Sequence, residues 1–152
     1  TVDKEEAFIK FVKLLLAQSS SIFDATRFSH ECEVSRPTIA KYLHIVDQTY
    51  VAKIVKPFSS HSSTEIVLAP KIYGFDTGFV CYAKGWELLR EEYYGDLWEH
   101  IVLNNIAGMF QNITIKYWRD KRGHEIDFVL QKNRNKEPIT VECKWSHRSF
   151  NP

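Results

Sequence analysis

The sequence has few cysteines and no long apolar run. Its three cysteines, Cys32, Cys81 and Cys143, are odd in number and form no CxxC pair, so neither a disulfide framework nor a zinc ribbon is indicated. No apolar stretch reaches the roughly 18 residues that a membrane-spanning helix needs, and no signal peptide is recognisable. These absences favour a protein of the reducing cytoplasm that has no membrane partner.

An excess of charge of one sign is also missing. Lys and Arg number 20 against 19 Asp and Glu, a formal net charge of +1, so the whole chain has no electrostatic preference for nucleic acid. The balance is locally uneven, because residues 113–152 hold nine Lys or Arg and five Asp or Glu, whereas residues 81–112 hold two and five. A basic bias therefore falls where a phosphate-bearing substrate would lie.

No repeat, low-complexity tract or GxxxxGK[ST] phosphate loop occurs, so we expect this chain to hold no nucleotide and to hydrolyse no ATP. The missing initiator Met and the end at Pro152 suggest a fragment. What is present is 44% hydrophobic and 14% aromatic residues among 152. This composition and length predict a globular chain with one domain or two small ones.

The first 80 residues show helical periodicity followed by strand periodicity. Asp24 and Ser35 are favourable N-cap residues, and Pro37 suits the first turn of a helix. The patterns predict helices at 4–18, 24–33 and 35–48, a polar loop at 59–64, and strands at 51–57, 65–68 and 71–75. This order predicts a winged helix-turn-helix domain over residues 1–80.

The third of these helices is the candidate recognition helix. Four polar residues are expected on its exposed face and are candidates for nucleic-acid contact: Arg36, Thr38, Lys41 and His44. Residues 1–80 contain nine Lys or Arg and nine Asp or Glu, which gives little electrostatic footprint. The alternative is therefore that this module is a protein-binding or interdomain spacer.

Asp76-Thr77-Gly78 follows an apolar strand and is similar to the catalytic loop of aspartic proteases. That chemistry needs two aspartates that share a proton, so a dimer would have to supply the second. The favoured interpretation is a turn that ends the strand and connects the two modules.

Residues 113–145 predict a β-meander of three strands, with turn signals at 120–123 and 132–138. Asp127 lies on the second strand, and Glu142 and Lys144 are two residues apart on the third, which places them on one face. Two converging carboxylates are suitable ligands for Mg²⁺ or Mn²⁺. A lysine beside them can act on water or phosphate, although a structural ion-pair cluster, or Glu125 in place of Asp127, remains open.

Asp127, followed after fourteen residues by Glu142-Cys143-Lys144, resembles the signature of the PD-(D/E)XK nuclease-like superfamily. Three segments together resemble the domain of unknown function at the C-terminal end of prokaryotic AAA+ ATPases: Tyr117-Trp118-Arg119-Asp120, Glu125-Ile126-Asp127-Phe128-Val129-Leu130 and Val141-Glu142-Cys143-Lys144. The resemblance implies an ATPase module in cis, then a winged helix, then a nuclease-like sheet. It also implies a helix and a strand after the third strand, so the core is expected to be truncated.

The same superfamily uses an acidic residue from the helix before its sheet as an extra metal ligand, and Glu99 matches that position. Gly95-Asp96 is expected to precede a helix from Leu97 to Phe110. The alternative is that Asp96 and Glu99 form a capping box at the helix start. The histidines His100, His124 and His147 lack zinc spacing and are expected at the surface or behind the site.

The sequence therefore predicts an α+β chain with a winged helix-turn-helix at 1–80 and a partial restriction-endonuclease-like α/β core with a mixed sheet at 81–152. The expected function is metal-dependent hydrolysis of nucleic-acid phosphodiesters. Asp127, Glu142 and Lys144 are the expected catalytic residues, and Glu99, Asp127 and Glu142 the expected ligands of Mg²⁺ or Mn²⁺. The alternative is a catalytically silent module that binds DNA or protein and regulates the ATPase.

Overall fold

The computed structural model describes residues 3–59, 69–133 and 136–146. These residues form a mixed α+β fold with five helices: α1 (Lys4–Ala17), α2 (Ala25–Glu31), α3 (Arg36–Gln48), α4 (Thr77–Lys84) and α5 (Glu91–Met109). Five strands form one mixed sheet in the order β2-β1-β3-β4-β5: β1 (Ala52–Pro57), β2 (Lys71–Gly74), β3 (Thr114–Arg119), β4 (Glu125–Gln131) and β5 (Ile139–Val141). The α+β class is thus confirmed. No helix within these ranges is long and apolar enough to span a bilayer.

The chain divides into two compact units that alternate along the sequence. The first comprises Thr1–Ile54 and Lys71–Glu87, and the second comprises Val55–Pro70 and Leu88–Pro152. The sequence predicts a single boundary at residue 80, whereas the first change of unit falls within β1. The two halves of that strand consequently belong to different units.

The predicted starts of α1 to α3 are found within one residue of their expected positions. Asp24 accepts hydrogen bonds from the backbone N–H groups of Thr26 and Arg27 at 2.9 and 3.1 Å, and Ser35 accepts one from Thr38 at 3.3 Å. These side chains satisfy N–H groups that have no partner inside the helix. Four helix residues and Phe23, which precedes α2, form an aromatic cluster: Phe8, Phe11, Phe23, Phe28 and Tyr42.

The strand part of the first unit is described only in part. β1 and β2 lie next to each other in the sheet, and Ile22 forms an antiparallel bridge with Lys71. The predicted strand at 65–68, and all but residue 59 of the predicted loop at 59–64, lie outside the described residues.

The second unit contains the predicted β-meander. β3 pairs antiparallel with β4, β4 pairs antiparallel with β5, and the end of β1 pairs parallel with β3 through Lys56 and Pro57. The register of β3 shifts between Lys116 and Trp118, which is a local bulge. The buried residues of this unit include Leu103, Phe128, Val129 and Leu130.

The helix before the meander begins earlier than the sequence analysis expected. α5 starts at Glu91 and its N-cap, Arg90, makes no side-chain capping bond. Gly95 and Asp96 lie inside the helix, so the predicted start at Leu97 is wrong. Gly95 predicts a helix boundary, but an exposed helical glycine costs only about 1 kcal/mol relative to alanine, which the rest of a 19-residue helix overcomes.

Candidate functional site: an acidic cluster around Cys143

Asp127 is the most enclosed of the predicted site residues. It lies on β4 and is only 9% exposed, and its Oδ2 accepts a hydrogen bond from the backbone N–H of Cys143 at 2.7 Å. The last paired residue of β5 is Val141, opposite Phe128. The Asp127 carboxylate therefore accepts the N–H of a residue two positions beyond the last β4–β5 pair. This hydrogen bond ties the segment after β5 to β4.

Glu142 and Lys144 do not lie within a regular strand, so the prediction that strand alternation places them on one face is wrong. β5 ends at Val141 and residues 142–144 have irregular backbone. The two side chains nevertheless meet, because Lys144 Nζ donates to Glu142 Oε1 at 2.7 Å. The side chain of Lys144 is 37% exposed and that of Glu142 is 43% exposed.

The electrostatic environment of Cys143 shows which charged groups surround it. Burial first, and then the negative charges of Asp127, Glu99 and Glu142, together raise the pKa of its thiol to about 12. The pKa of Lys144 is also raised, first by its hydrogen bond to Glu142 and then by the charges of Asp127 and Glu99. The fold therefore brings all four predicted site residues into one neighbourhood.

Glu99 reaches this cluster from α5, which makes it the contribution of a third segment of the chain. The competing capping-box interpretation is wrong, because both Asp96 and Glu99 lie in the second and third turns of the helix and not at its start.

The histidines singled out in the sequence were expected at the surface or behind the site, and the two that the structure describes differ in exposure. His100 is fully buried, not at the surface, and its Nδ1 lies 2.8 Å from the Asp96 carbonyl oxygen. His124 is exposed and bonds Asp120 at 2.8 Å, whereas His147 lies outside the described residues.

The donor chemistry of the cluster suits a hard divalent cation. Its three acidic side chains offer oxygen atoms, which Mg²⁺ and Mn²⁺ prefer. In the described part of the chain, however, no three His, Cys, Asp or Glu side chains are close enough to hold an ion as they stand. Lys144 occupies Oε1 of Glu142, so a cation would compete with this ion pair. Glu125, the alternative to Asp127, lies 3.7 Å from Arg119.

A cleft of about 390 Å³ opens beside the cluster. It is lined by residues from α5, from β5 and from the segment that follows β5: Trp98, Val102, Val141, Glu142, Cys143, Lys144, Trp145 and Ser146. Neither Trp98 nor Trp145 was singled out from the sequence. The spacing of Tyr94 and Trp98, one helical turn apart, is the signal that indicates an aromatic helix face.

The first unit presents its candidate nucleic-acid contacts on α3. Arg36, Lys41 and His44 are exposed, as the sequence analysis expected. Thr38 is partly buried and its hydroxyl lies 2.9 Å from that of Ser35. The Thr38 side chain therefore interacts with the N-cap residue of the helix and is less accessible than the other three candidates.

Asp76 has a structural role. It is the N-cap of α4, and its Oδ1 accepts from the N–H groups of Gly78 and Phe79 at 2.8 and 3.1 Å. The Asp-Thr-Gly segment therefore ends β2 and starts a helix, which agrees with the favoured interpretation as a connecting turn. The three cysteines, all within the described residues, form no disulfide.

Two family models match the chain. Residues 1–90 match the family described as "Domain of unknown function (DUF8612)", and residues 94–151 match "Domain of unknown function (DUF4143)", a domain associated with AAA ATPases. The first match covers more than half of the chain, so the chain belongs to the DUF8612 family.

Two curated relatives are uncharacterized proteins, one from Mycobacterium tuberculosis and one from Mycobacterium bovis. Each is 24% identical over 122 residues, which is 78% of this chain. The chain spans 28% of the length of these relatives. No solved structure matches it.

Proposed function

We propose that this member of the DUF8612 family carries, in its second unit, a Mg²⁺- or Mn²⁺-dependent nucleic-acid phosphodiesterase with a PD-(D/E)XK nuclease-like core. The observation that carries the proposal is the convergence of Glu99, Asp127, Glu142 and Lys144 around Cys143. The match of residues 94–151 to a domain associated with AAA ATPases supports control by an ATPase domain in cis.

Each residue of the cluster has a distinct role in this proposal. Asp127, Glu142 and Glu99 hold the cation, and the bound cation supplies charge stabilisation and an activated water. Asp127 is held in place by the Cys143 N–H, so this carboxylate is fixed before any ligand arrives. Lys144 is accessible to a phosphate oxygen, to which it would donate in place of Glu142, because more than a third of its side chain is exposed.

A structural ion pair does not account for this arrangement. The pair between Glu142 and Lys144 is more than one third exposed on both sides, and such pairs stabilise a fold by only about 0–1 kcal/mol. Repulsion among carboxylates that lie close together is relieved when a cation binds them, and this makes a metal site the better explanation.

We further propose that the first unit is a winged helix that presents α3 to DNA. Support comes from the order of its elements: three helices, then the adjacent strands β1 and β2, with the bridge between Ile22 and Lys71 adding a short third strand segment. The exposed Arg36, Lys41 and His44 lie on the helix that would enter the major groove.

The test of the phosphodiesterase is Mn²⁺ titration by calorimetry together with cleavage of plasmid and single-stranded DNA, in this chain and in the intact protein. Asp127→Asn is the sharpest variant, because its amide oxygen still accepts the Cys143 N–H while its charge is lost. We expect stoichiometric Mn²⁺ binding that disappears in Asp127→Asn and Glu142→Ala. Lys144→Ala should keep most of the affinity for metal and lose cleavage.

The thermal midpoint of each variant serves as the control for folding. An intact protein that binds no Mn²⁺ and cuts neither substrate would leave the competing proposal, a catalytically silent regulatory module of the ATPase that binds DNA or protein.

A further inference from the structure

Three aromatic rings meet at the edge of the acidic cluster. Tyr94 and Trp98 lie one turn apart on α5, and Trp145 follows Lys144 directly in the chain. The ring centroid of Trp145 lies 5.0 Å from that of Tyr94 and 5.9 Å from that of Trp98, with interplanar angles of 58° and 68°. These inclined contacts are a favourable aromatic geometry and hold the Trp145 ring in one orientation.

Although two rings support it, Trp145 remains 53% exposed. Both Trp98 and Trp145 line the cleft that also contains Glu142 and Lys144. The cleft volume of about 390 Å³ lies near the lower end of the range for sites that bind small molecules. A large, orientated and accessible ring therefore lies in the same small cleft as the candidate catalytic groups.

We propose that Trp145, flanked by Trp98, stacks against an unpaired base of the nucleic acid, so that the site selects single-stranded over double-stranded substrate. The proposal rests on the phosphodiesterase function proposed above and specifies its substrate. Bases in a duplex have both faces covered by neighbouring bases, whereas bases in a single strand can be splayed out against an aromatic side chain.

One neighbouring cation fits the same occupant. Lys144 is adjacent to Trp145 in sequence, so a backbone phosphate of a stacked nucleotide can lie near its ammonium group while the base contacts the ring. The carboxylates of Glu99, Asp127 and Glu142 lie in the same neighbourhood, so base stacking on the ring has to supply most of the affinity.

The experiment measures binding of three labelled probes by fluorescence anisotropy, in metal-free buffer to prevent cleavage. The probes are an oligothymidylate, an abasic strand of the same length, and a duplex that contains the same oligothymidylate. We expect the oligothymidylate to bind most tightly. Loss of the bases, or Trp145→Ala, should weaken binding by roughly five- to 150-fold, the range for one lost stacking contact. Trp145→Phe should restore most of the affinity.

The matched control is Trp118→Phe, since Trp118 lies on β3 and does not line the cleft. It should bind like the wild type. Equal affinity for intact and abasic strands, equal affinity for duplex and single strand, or unchanged binding by Trp145→Ala would each overturn the proposal. The comparison of intact with abasic strands uses the wild-type chain, so it stands even if a tryptophan variant misfolds.

Mn²⁺ binding and base-dependent binding, both measured on the wild-type chain, separate this proposal from the one on which it rests. If base-dependent binding is found but no protein form binds Mn²⁺ or cleaves DNA, the phosphodiesterase fails and the stacking site remains. If cleavage occurs but binding does not depend on the bases, the stacking site fails alone.

Discussion

At the scale of single residues, the site depends on one carboxylate that has two effects. Asp127 accepts the Cys143 N–H and so ties the segment after β5 to β4. Its negative charge also contributes to the raised pKa of the Cys143 thiol. The same carboxylate therefore fixes the position of the segment that carries Glu142 and Lys144 and, second to burial, raises the pKa of the thiol between them. Thiolates, not thiols, are the reactive form of cysteine.

We predict that Cys143 is nearly inert to alkylation at neutral and moderately alkaline pH, because its pKa is raised to about 12. In Asp127→Asn one of the raising charges is lost, so its pKa should fall and alkylation should begin at lower pH. Burial is the larger cause and remains, so the pKa should stay above the ordinary value of about 8.5. Iodoacetamide labelling as a function of pH, followed by peptide mass spectrometry, measures this.

The same pKa shift has a defined effect on stability. Above roughly pH 8.5 the unfolded thiol loses its proton while the folded thiol keeps it. Rising pH should therefore destabilise the fold until the folded thiol also ionises near pH 12. Wild-type labelling that is half-maximal near pH 8.5 would contradict both expectations.

At the scale of elements, the sequence predicted those features that local chemistry determines. Asp24 and Ser35 identified helix starts because an N-cap side chain acts on N–H groups two or three residues away. The start of α5 was missed because no side chain caps it, which left the sequence without a local signal.

The same distinction applies to the candidate site. Asp127, Glu142 and Lys144 were found from their spacing, but the end of β5 at Val141 was not. β5 ends just before Cys143, whose backbone N–H bonds the side chain of Asp127, 16 positions earlier in the chain. Contacts over that distance in sequence leave no trace in local periodicity.

We predict that Gly74→Ala destabilises the first unit by about 1–3 kcal/mol, the usual cost of overpacking a core. A Cβ at Gly74 would lie 2.8 Å from both Leu16 Cδ2 and Val80 Cγ2, so these two side chains, or the helices α1 and α4 that carry them, would have to shift. Gly95→Ala is the matched control, because nothing lies within 4 Å of its Cβ position. In the interior of α5 it should stabilise by about 0.5–1 kcal/mol.

Hydrogen exchange resolved by unit is the appropriate measurement, because Gly74 and Gly95 belong to different units. A Gly74→Ala chain with unchanged protection in β2 and α4 would show that the neighbouring side chains yield without cost.

For α3, we predict that Arg36→Ala and Lys41→Ala each weaken duplex binding and lower its salt dependence. Each removed phosphate contact should reduce the number of released ions by about one. Both side chains are exposed on the helix surface, so folding should not change. Lys13→Ala, an exposed lysine on α1, is the control. Equal binding by all four proteins would assign the module to protein contacts.

At the scale of the whole molecule, the boundaries of the family matches and those of the compact units differ. The family matches meet between residues 90 and 94, whereas Val55–Pro70 belongs to the same unit as Leu88–Pro152. Contacts of β3 explain why residues 55–70 group with the second unit. The Tyr117 backbone carbonyl accepts a hydrogen bond from the Phe58 N–H at 2.6 Å, and the Tyr117 hydroxyl donates to the Ala69 carbonyl at 2.7 Å.

We therefore predict that a fragment of residues 91–152 does not form a stable monomer. Without the end of β1, one edge of β3 has unpaired backbone groups, and exposed strand edges promote association between chains. Tyr117, only 4% exposed in the structure, would also lose the Ala69 carbonyl that accepts its hydroxyl.

The matched control joins residues 55–70 to residues 88–152 through a flexible Gly/Ser linker that replaces residues 71–87. Size-exclusion chromatography with light scattering and far-ultraviolet circular dichroism should show a folded monomer for the linked form and aggregates for the fragment. A fragment that is monomeric, with the same thermal midpoint as the linked form, would mean that residues 55–70 contribute no stability to the second unit, and the family boundary would then also be the folding boundary.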